Sequence, residues 1–336
     1  MNIEILPAPK GKITKPGIYD LSMAAYHRAD ICDGVSISST GLRVAISKSI
    51  RHWWDKYLNP DREEEDDASD DTKYSILGRA GHHLLLGEAA FVEHFVLRPN
   101  EAPDATGKIG PWNGNKTFCR KWEAEQVLAG KGILTETMLK QVKGIAKSFA
   151  ANPHVRGGIL NGLVEKSFFW KDKETGVWLK ARPDAVPLAD ETSVDVKIVQ
   201  DASRRGVQRS LNDSNLHIQA ALVGMGLEEV LGWKRNDGLR YLMFGESVRP
   251  HCCVIQPISE YAIDYARLEI RATLRKIAEA LNNARVLEKE NPKLDRFPME
   301  AFEGYETRDF QTVSLPKYRS DEYEKMIEGG IIPRSE

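Results

Sequence analysis

In the stretch KARPDAVPLADETSVDVKIVQ, residues 180–200, two carboxylates and an amine stand at spacings that allow joint chemistry. Asp195 and Lys197 are two residues apart, so on a strand they share one face while Val194, Val196 and Ile198 share the other. Asp184 follows Pro183 on a preceding strand, and a turn within PLADET lets the two strands pair and bring Asp184 near Asp195. Two close carboxylates raise one another's pKa unless a cation sits between them. Hard oxygen ligands favour Mg²⁺ or Mn²⁺. Such a metal activates water and stabilises the charge that builds on a phosphodiester in transit. Lys197 would position or deprotonate that water, or neutralise that charge. The bland alternative for this stretch alone is a hairpin whose Asp and Lys side chains face water.

Further segments offer partners for these groups. In LGRAGHHLLLGEAAF, Gly78 and His82 lie one helical turn apart. Gly78 would let another backbone approach closely, and His82 reads either as a metal ligand or as a surface or core histidine. Glu165 in EKSFFW supports a metal or water, or is a plain surface carboxylate. Gln219 in HIQAALVGM follows the strands on a helix, where an amide can hydrogen-bond a ligand or backbone.

The elements that must position these residues follow from periodicity. Serine clusters before apolar-periodic stretches predict capped helices in the first 60 residues, the second beginning near Ser38. The acidic block at 61–71 reads as a solvated loop, with a partner-binding or DNA-mimicking segment as the alternative. A helix is expected over Tyr74–Phe95, a loop over 96–115, and two helices up to Pro153. From 163, LVEKSFFW, GVWLKARPDAVPL and TSVDVKIV predict a three-stranded antiparallel meander. A helix at 215–232, two strands and a long helix at about 259–290 follow. The order indicates an α/β class: a central mixed sheet with an antiparallel meander, flanked by helices and helical additions.

Composition narrows the function classes. Of 336 residues 41% are hydrophobic and 29% charged, as in soluble globular proteins. No apolar run approaches the roughly 18 residues of a membrane span. The polar, proline-rich amino terminus does not read as a secretory signal, so a cytoplasmic location without membrane association is expected. The four cysteines form no C-x-x-C pair, which argues against a zinc ribbon or a disulfide framework. His251, Cys252 and Cys253 read as alternate residues of a buried strand, with a metal site as the alternative. A net charge of −2 means that nucleic acid, if bound, must meet a local basic surface. Trp53, Trp54 and Trp112 read as packing residues, with base stacking as the alternative.

Together the motif segments resemble the PD-(D/E)XK nuclease superfamily, and more narrowly the RecE (exonuclease VIII) type of exonuclease domain. AYHRADICDGVSISSTGLR resembles that family's opening Y-H … S-x-S-x-L pattern, and LGRAGHHLLLGEAAF its G-x-x-x-H-x-L-L-L segment. ARPDAVP and VDVKIVQDAS resemble its R-P-D and D-x-K-T-x-x-D-A-S elements, IQAALVGMG its Q-A-A-x-Y helix, and FEGYE…VSLPKYR its closing segment. The likeness covers most of the chain. It implies a restriction-endonuclease-like core at 73–336 with a C-terminal helix and tail, and an N-terminal helical segment at 1–72, including the acidic loop, packed on it. It also implies His82, Asp184 and Asp195 as metal ligands with the Val196 carbonyl, Lys197 as the catalytic lysine, and Gln219 and Glu165 in support. Arg182 would help bind a phosphate. Arg204, Arg205 and Arg209 form either a DNA-backbone patch or a solvated basic loop. Ile198 departs from the usual threonine and Val223 from a common tyrosine, which puts substrate positioning in doubt. The implied activity is processive, mostly 5′→3′ hydrolysis of linear double-stranded DNA with Mg²⁺, for which Mn²⁺ substitutes. The implied setting is phage-type recombination, by a ring-shaped homo-oligomer alongside a single-strand annealing recombinase. An endonuclease or repair nuclease on the same core, and a non-catalytic DNA-binding relative, are the alternatives.

Overall fold

The computed structural model describes residues 3–62, 73–86, 91–189, 191–234, 239–305, 314 and 317–329. Most of the acidic block and of the closing motif segment lie outside the described residues. The chain divides into two compact units, Met1–Glu303 and Gly304–Glu336. In the first, β1 (Ile5–Leu6) and β2 (Gly17–Tyr19) lead into α1 (Met23–His27), β3 (Ser36–Ser38), α2 (Ser39–Ser47) and α3 (Ile50–Tyr57). Next come α4 (Lys73–Leu85), α5 (Phe91–His94), β4 (Phe95–Leu97), β5 (Glu101–Pro103) and β6 (Ile109–Pro111). They are followed by α6 (Thr117–Leu128), β7 (Gly132–Leu134), α7 (Glu136–Ala151) and α8 (Pro153–Arg156). β8 (Leu163–Val164), β9 (Ser167–Lys171), β10 (Trp178–Ala181), β11 (Ala185–Val186) and β12 (Ser193–Val199) form the middle. α9 (Arg204–Asp213), α10 (Leu216–Leu231), β13 (Arg240–Glu246), β14 (Cys253–Pro257) and α11 (Glu260–Glu290) end it, and the second unit carries α12 (Lys317–Glu328).

The helices begin where the caps predict. Ser22 and Ser38 accept from the amides of Ala25 and Gly41, so the second helix starts at Ser39. α7 is capped by Thr135 and buries Met138, Val142, Ile145 and Phe149, a stripe at helical spacing. The long helix expected from Tyr74 instead gives α4, then α5, and its last residue Phe95 belongs to β4. The expected loop at 96–115 contains the β5–β6 hairpin, and β4 pairs parallel with β7.

Where one central sheet is expected there are two mixed five-stranded sheets, ordered β1-β2-β9-β10-β3 and β14-β13-β12-β11-β8. The physical reason sits at Pro183. β9 pairs with β10 with Lys171 opposite Trp178, and β8 pairs with β11 with Val164 opposite Ala185. Both pairings continue a single register, which places Lys166 opposite Pro183 and Glu165 opposite Asp184. These strands are one long hairpin. Proline has no N–H to give the ladder, so pairing lapses there and the hairpin bends from one sheet into the other. Glu165 takes a left-handed conformation at the bend, φ 53°, which is uncommon for a residue with a side chain. Its amide donates to the Asp184 carbonyl at 3.1 Å, tying the two arms together.

α10 lies against the first sheet and α11, burying ten of its residues from Leu216 to Leu231. Trp53 and Trp54 are buried in this core beside Phe302, as packing residues. On the second sheet, Val194 and Val196 pack with Ile145 and Phe149 of α7. The buried strand expected from His251 begins instead at Cys253, which is half-buried. His251 has φ 63° in the turn before β14, and Cys252 is exposed.

Arg267, Arg271 and Arg275, four residues apart on α11, fasten it to the layer beneath by pairing with Glu228, Asp172 and Glu174. Asp172 is buried and accepts from the Thr175 amide at 2.9 Å, the Thr175 hydroxyl at 2.7 Å and Arg271 at 2.7 Å. Burial works to raise its carboxyl pKa, but these hydrogen bonds outweigh it and hold it below the ordinary value. Asp172→Ala should therefore cost about 1–3 kcal/mol in urea unfolding at neutral pH, because the Thr175 donors lose a buried acceptor. A depressed carboxylate gives stability that is present above its unfolded pKa and lost as pH falls through the folded one. The gap between the wild type and Asp172→Ala should accordingly shrink as the pH is lowered past about 4.

Candidate metal centre

The hairpin bend delivers two side chains to one point, and α4 brings a third. His82 of α4 places Nε2 3.0 Å from Asp184 Oδ1 and Nδ1 3.4 Å from Glu165 Oε1. Ligand-capable atoms of His82, Glu165 and Asp184 lie within 4.8 Å of one another. The second Asp184 oxygen accepts the Val196 amide at 2.5 Å. Arg182 donates from Nε to Glu165 at 2.6 Å, and from a terminal nitrogen to the Leu21 carbonyl at 2.7 Å and the Ser167 hydroxyl at 3.1 Å.

Asp195 stands beside this group. Its register with Ala185 paired to Val194 places it opposite Asp184, as expected from the turn. Gln219 donates to its Oδ1 at 2.6 Å. Lys197 Nζ lies 2.5 Å from Oδ2 in an ion pair that lacks hydrogen-bond alignment.

The electrostatics follow from packing three carboxylates together. Burial pulls the His82 pKa down, but Asp184 and Glu165 outweigh it and carry it up to about 9. Burial raises Glu165, against the hydrogen bond from Arg182. For Asp184 burial is outweighed by His82, Lys197 and the Val196 amide, and its pKa is lowered. Burial raises Asp195 despite Lys197, and Asp184 adds to the rise. Lys197 loses to burial and gains more from Asp195 and Asp184, so its ammonium form is favoured. An imidazole nitrogen with two carboxylate oxygens, already arranged around a positive charge, is a donor set suited to a divalent cation such as Mn²⁺ or Mg²⁺.

Several expectations change in detail. Glu165, assigned a supporting part, is a full member of the group around His82. Asp195 turns to Lys197 and Gln219, and Val196 is seen through its amide bonded to Asp184. Arg182 is committed to Glu165, the Leu21 carbonyl and the Ser167 hydroxyl. Arg204, Arg205 and Arg209 are exposed on α9, a helix where a loop was read. Gly78 has nothing within 4 Å of where a Cβ would stand among the described residues. The close approach is at Gly81, whose Cβ would meet Ile198 of β12 at 3.1 Å. That contact sets α4 against β12, one residue before His82.

A cleft of about 180 Å³ opens above the group. Besides that group it is lined by Met23, Tyr26 and His27 of α1 with Ser39 and Thr40 at the start of α2. No functional part was assigned to these residues from sequence, although Tyr26 and His27 form the Y-H pair of the opening motif.

No family model and no curated protein matches the chain. A crystal structure of a "Putative exonuclease" from Eubacterium rectale is similar in fold, with TM-score 0.52 and 12% identity, covering 90% of this chain and 97% of that one. At that identity the likeness is one of fold, and it extends over nearly the whole of both chains. Among the described residues no helix is long and apolar enough to cross a membrane.

The two glycines of α4 should respond oppositely in thermal or urea unfolding. Gly78→Ala should stabilise by up to about 1 kcal/mol through helix propensity. Gly81→Val should cost about 1–3 kcal/mol by overpacking, and Ile198→Ala in the same chain should recover part of it.

Proposed function

We propose that this chain is a metal-dependent deoxyribonuclease, an exonuclease that hydrolyses phosphodiester bonds of linear double-stranded DNA. One observation carries the reading: His82, Glu165 and Asp184 meet at the hairpin bend directly beside the Asp195–Lys197–Gln219 cluster. The fold likeness to the Eubacterium rectale protein supports a nuclease fold. The 5′→3′ direction, processivity, ring-shaped oligomer, annealing partner and place in phage-type recombination rest on the sequence resemblance.

His82, Glu165 and Asp184 would hold Mg²⁺ or Mn²⁺, with Asp195 beside them held by Gln219 and Lys197. A divalent cation there supplies Lewis-acid stabilisation of the phosphate and a water of lowered pKa. Arg182 keeps Glu165 turned toward His82. Gln219 fixes the Asp195 carboxylate and leaves its other oxygen to Lys197. Lys197, an ammonium in that ion pair, sets a positive charge against the negative charge that accumulates on the phosphate during attack. The exposed Arg204, Arg205 and Arg209 offer phosphate contacts just beyond the strand that carries Lys197.

Purified protein with Mg²⁺ should degrade linear duplex and leave a covalently closed circle intact, and chelation should abolish the activity. Cutting of the circle would instead favour an endonuclease or repair nuclease, and binding of DNA without any cleavage a non-catalytic relative. Asp184→Asn and Lys197→Ala should each lower the rate by about 10³-fold or more in a chain that still folds at the assay temperature, because the first would weaken the metal and the second removes a charge set against the phosphate. Near-normal cleavage by either variant would remove the proposed site.

A further inference from the structure

Lys180 is a buried lysine that the proposed chemistry does not use. It is 6% exposed on β10. Its Nζ donates to the Tyr26 carbonyl at 2.8 Å and the Arg28 carbonyl at 3.2 Å, and lies 5.2 Å from the centre of the Tyr26 ring. Among the described residues no carboxylate pairs with it, and burial pushes its pKa down to about 8. A buried ammonium without a counter-ion is costly unless its donors do specific work.

That work is at the end of α1. The helix has five residues, too few to persist by its own hydrogen bonds. Both of its ends are held from β10 and the residue just after it. Arg182 takes the Leu21 carbonyl just before the helix, and Lys180, two residues earlier and on the same side, takes the carbonyls of its last turn. A cation at a helix C-terminus is also favoured by the helix dipole. Tyr26 is buried between this grip and Phe169, with ring centroids 6.1 Å apart. Met23, 48% exposed, and the exposed His27 are left lining the same cleft as His82, Glu165 and Asp184.

We propose that Lys180 is a positioning residue for substrate: it locks α1 as one wall of the cleft, so that Met23 and His27 contact the DNA strand held against the metal centre. The inference rests on the nuclease reading above. Lys180 touches none of the three residues of the metal group, so it acts on binding and not on the reacting atoms.

The test is steady-state cleavage of linear duplex by Lys180→Met and Lys180→Arg, together with His27→Ala and Met23→Ala. In Lys180→Met the KM should rise about tenfold or more while kcat stays within about threefold, the pattern of lost uniform binding. Lys180→Arg should recover most of that loss. Mn²⁺ affinity, read by calorimetry, should be unchanged. His27→Ala should raise KM in the wild type and add little in the Lys180→Met background, since both act through one wall. An unchanged KM, an equal fall in kcat, or a loss of Mn²⁺ binding would overturn the assignment. If Lys180→Met does not fold, the exposed His27→Ala and Met23→Ala variants decide, and unchanged KM in both overturns it. A wild type that cuts no DNA would overturn the nuclease reading and this inference together, whereas an active wild type with unmoved KM overturns the part of Lys180 alone.

Discussion

Three buried or half-buried carboxylates, Glu165, Asp184 and Asp195, converge at one bend, and their mutual repulsion is the constraint the surrounding structure answers. Each is matched by a different cationic group: Arg182 for Glu165, His82 for Asp184 and Lys197 for Asp195. The matching is not symmetrical. Arg182 and Lys197 each serve one carboxylate, while His82 stands between two. The imidazole therefore marks the place where positive charge is most strongly favoured, which is where the divalent cation of the proposed reading would sit.

The bend exists because of backbone chemistry. A hairpin of uniform pairing would send Glu165 and Asp184 to the faces of a single sheet. Pro183 withholds an amide, the ladder lapses, and the chain passes from one sheet to the next with Glu165 in the left-handed region. A conformation of this kind costs about 1–3 kcal/mol and persists where neighbours over-determine it. Here the Glu165 amide is bonded to Asp184 and its side chain to Arg182. The same lapse leaves the Val196 amide to the Asp184 carboxylate.

Two helices then close the arrangement from opposite directions. α4 approaches β12 at Gly81, where any side chain would press on Ile198, and the next residue is His82. α10 is buried along most of its length and brings Gln219 to Asp195. α11 holds α10 and the β9–β10 turn through its ladder of arginines, so the layer under the site is fixed by ion pairs as well as by apolar contact. Rigidity at these distances matters, because a shift of an ångström would unmatch a carboxylate from its cation.

Much of this was legible in the sequence. Alternation on β12 put Asp195 and Lys197 on one face, the turn put Asp184 opposite Asp195, and serine caps and apolar stripes marked α1, α2, α7, α10 and α11. α9 was missed because its few apolar residues, Val207 and Leu211 among them, leave only a weak stripe in a polar, arginine-rich run. What the sequence by itself determined was the inventory: which groups carry charge and which strand face each occupies; that the pairing lapses at Pro183 emerged only in the fold. Only the tertiary structure decided that Glu165 joins His82 and Asp184 while Asp195 turns to Lys197 and Gln219. That choice depends on the direction of the hairpin bend and on how closely α4 can approach β12, and both are set by contacts between segments far apart in the chain.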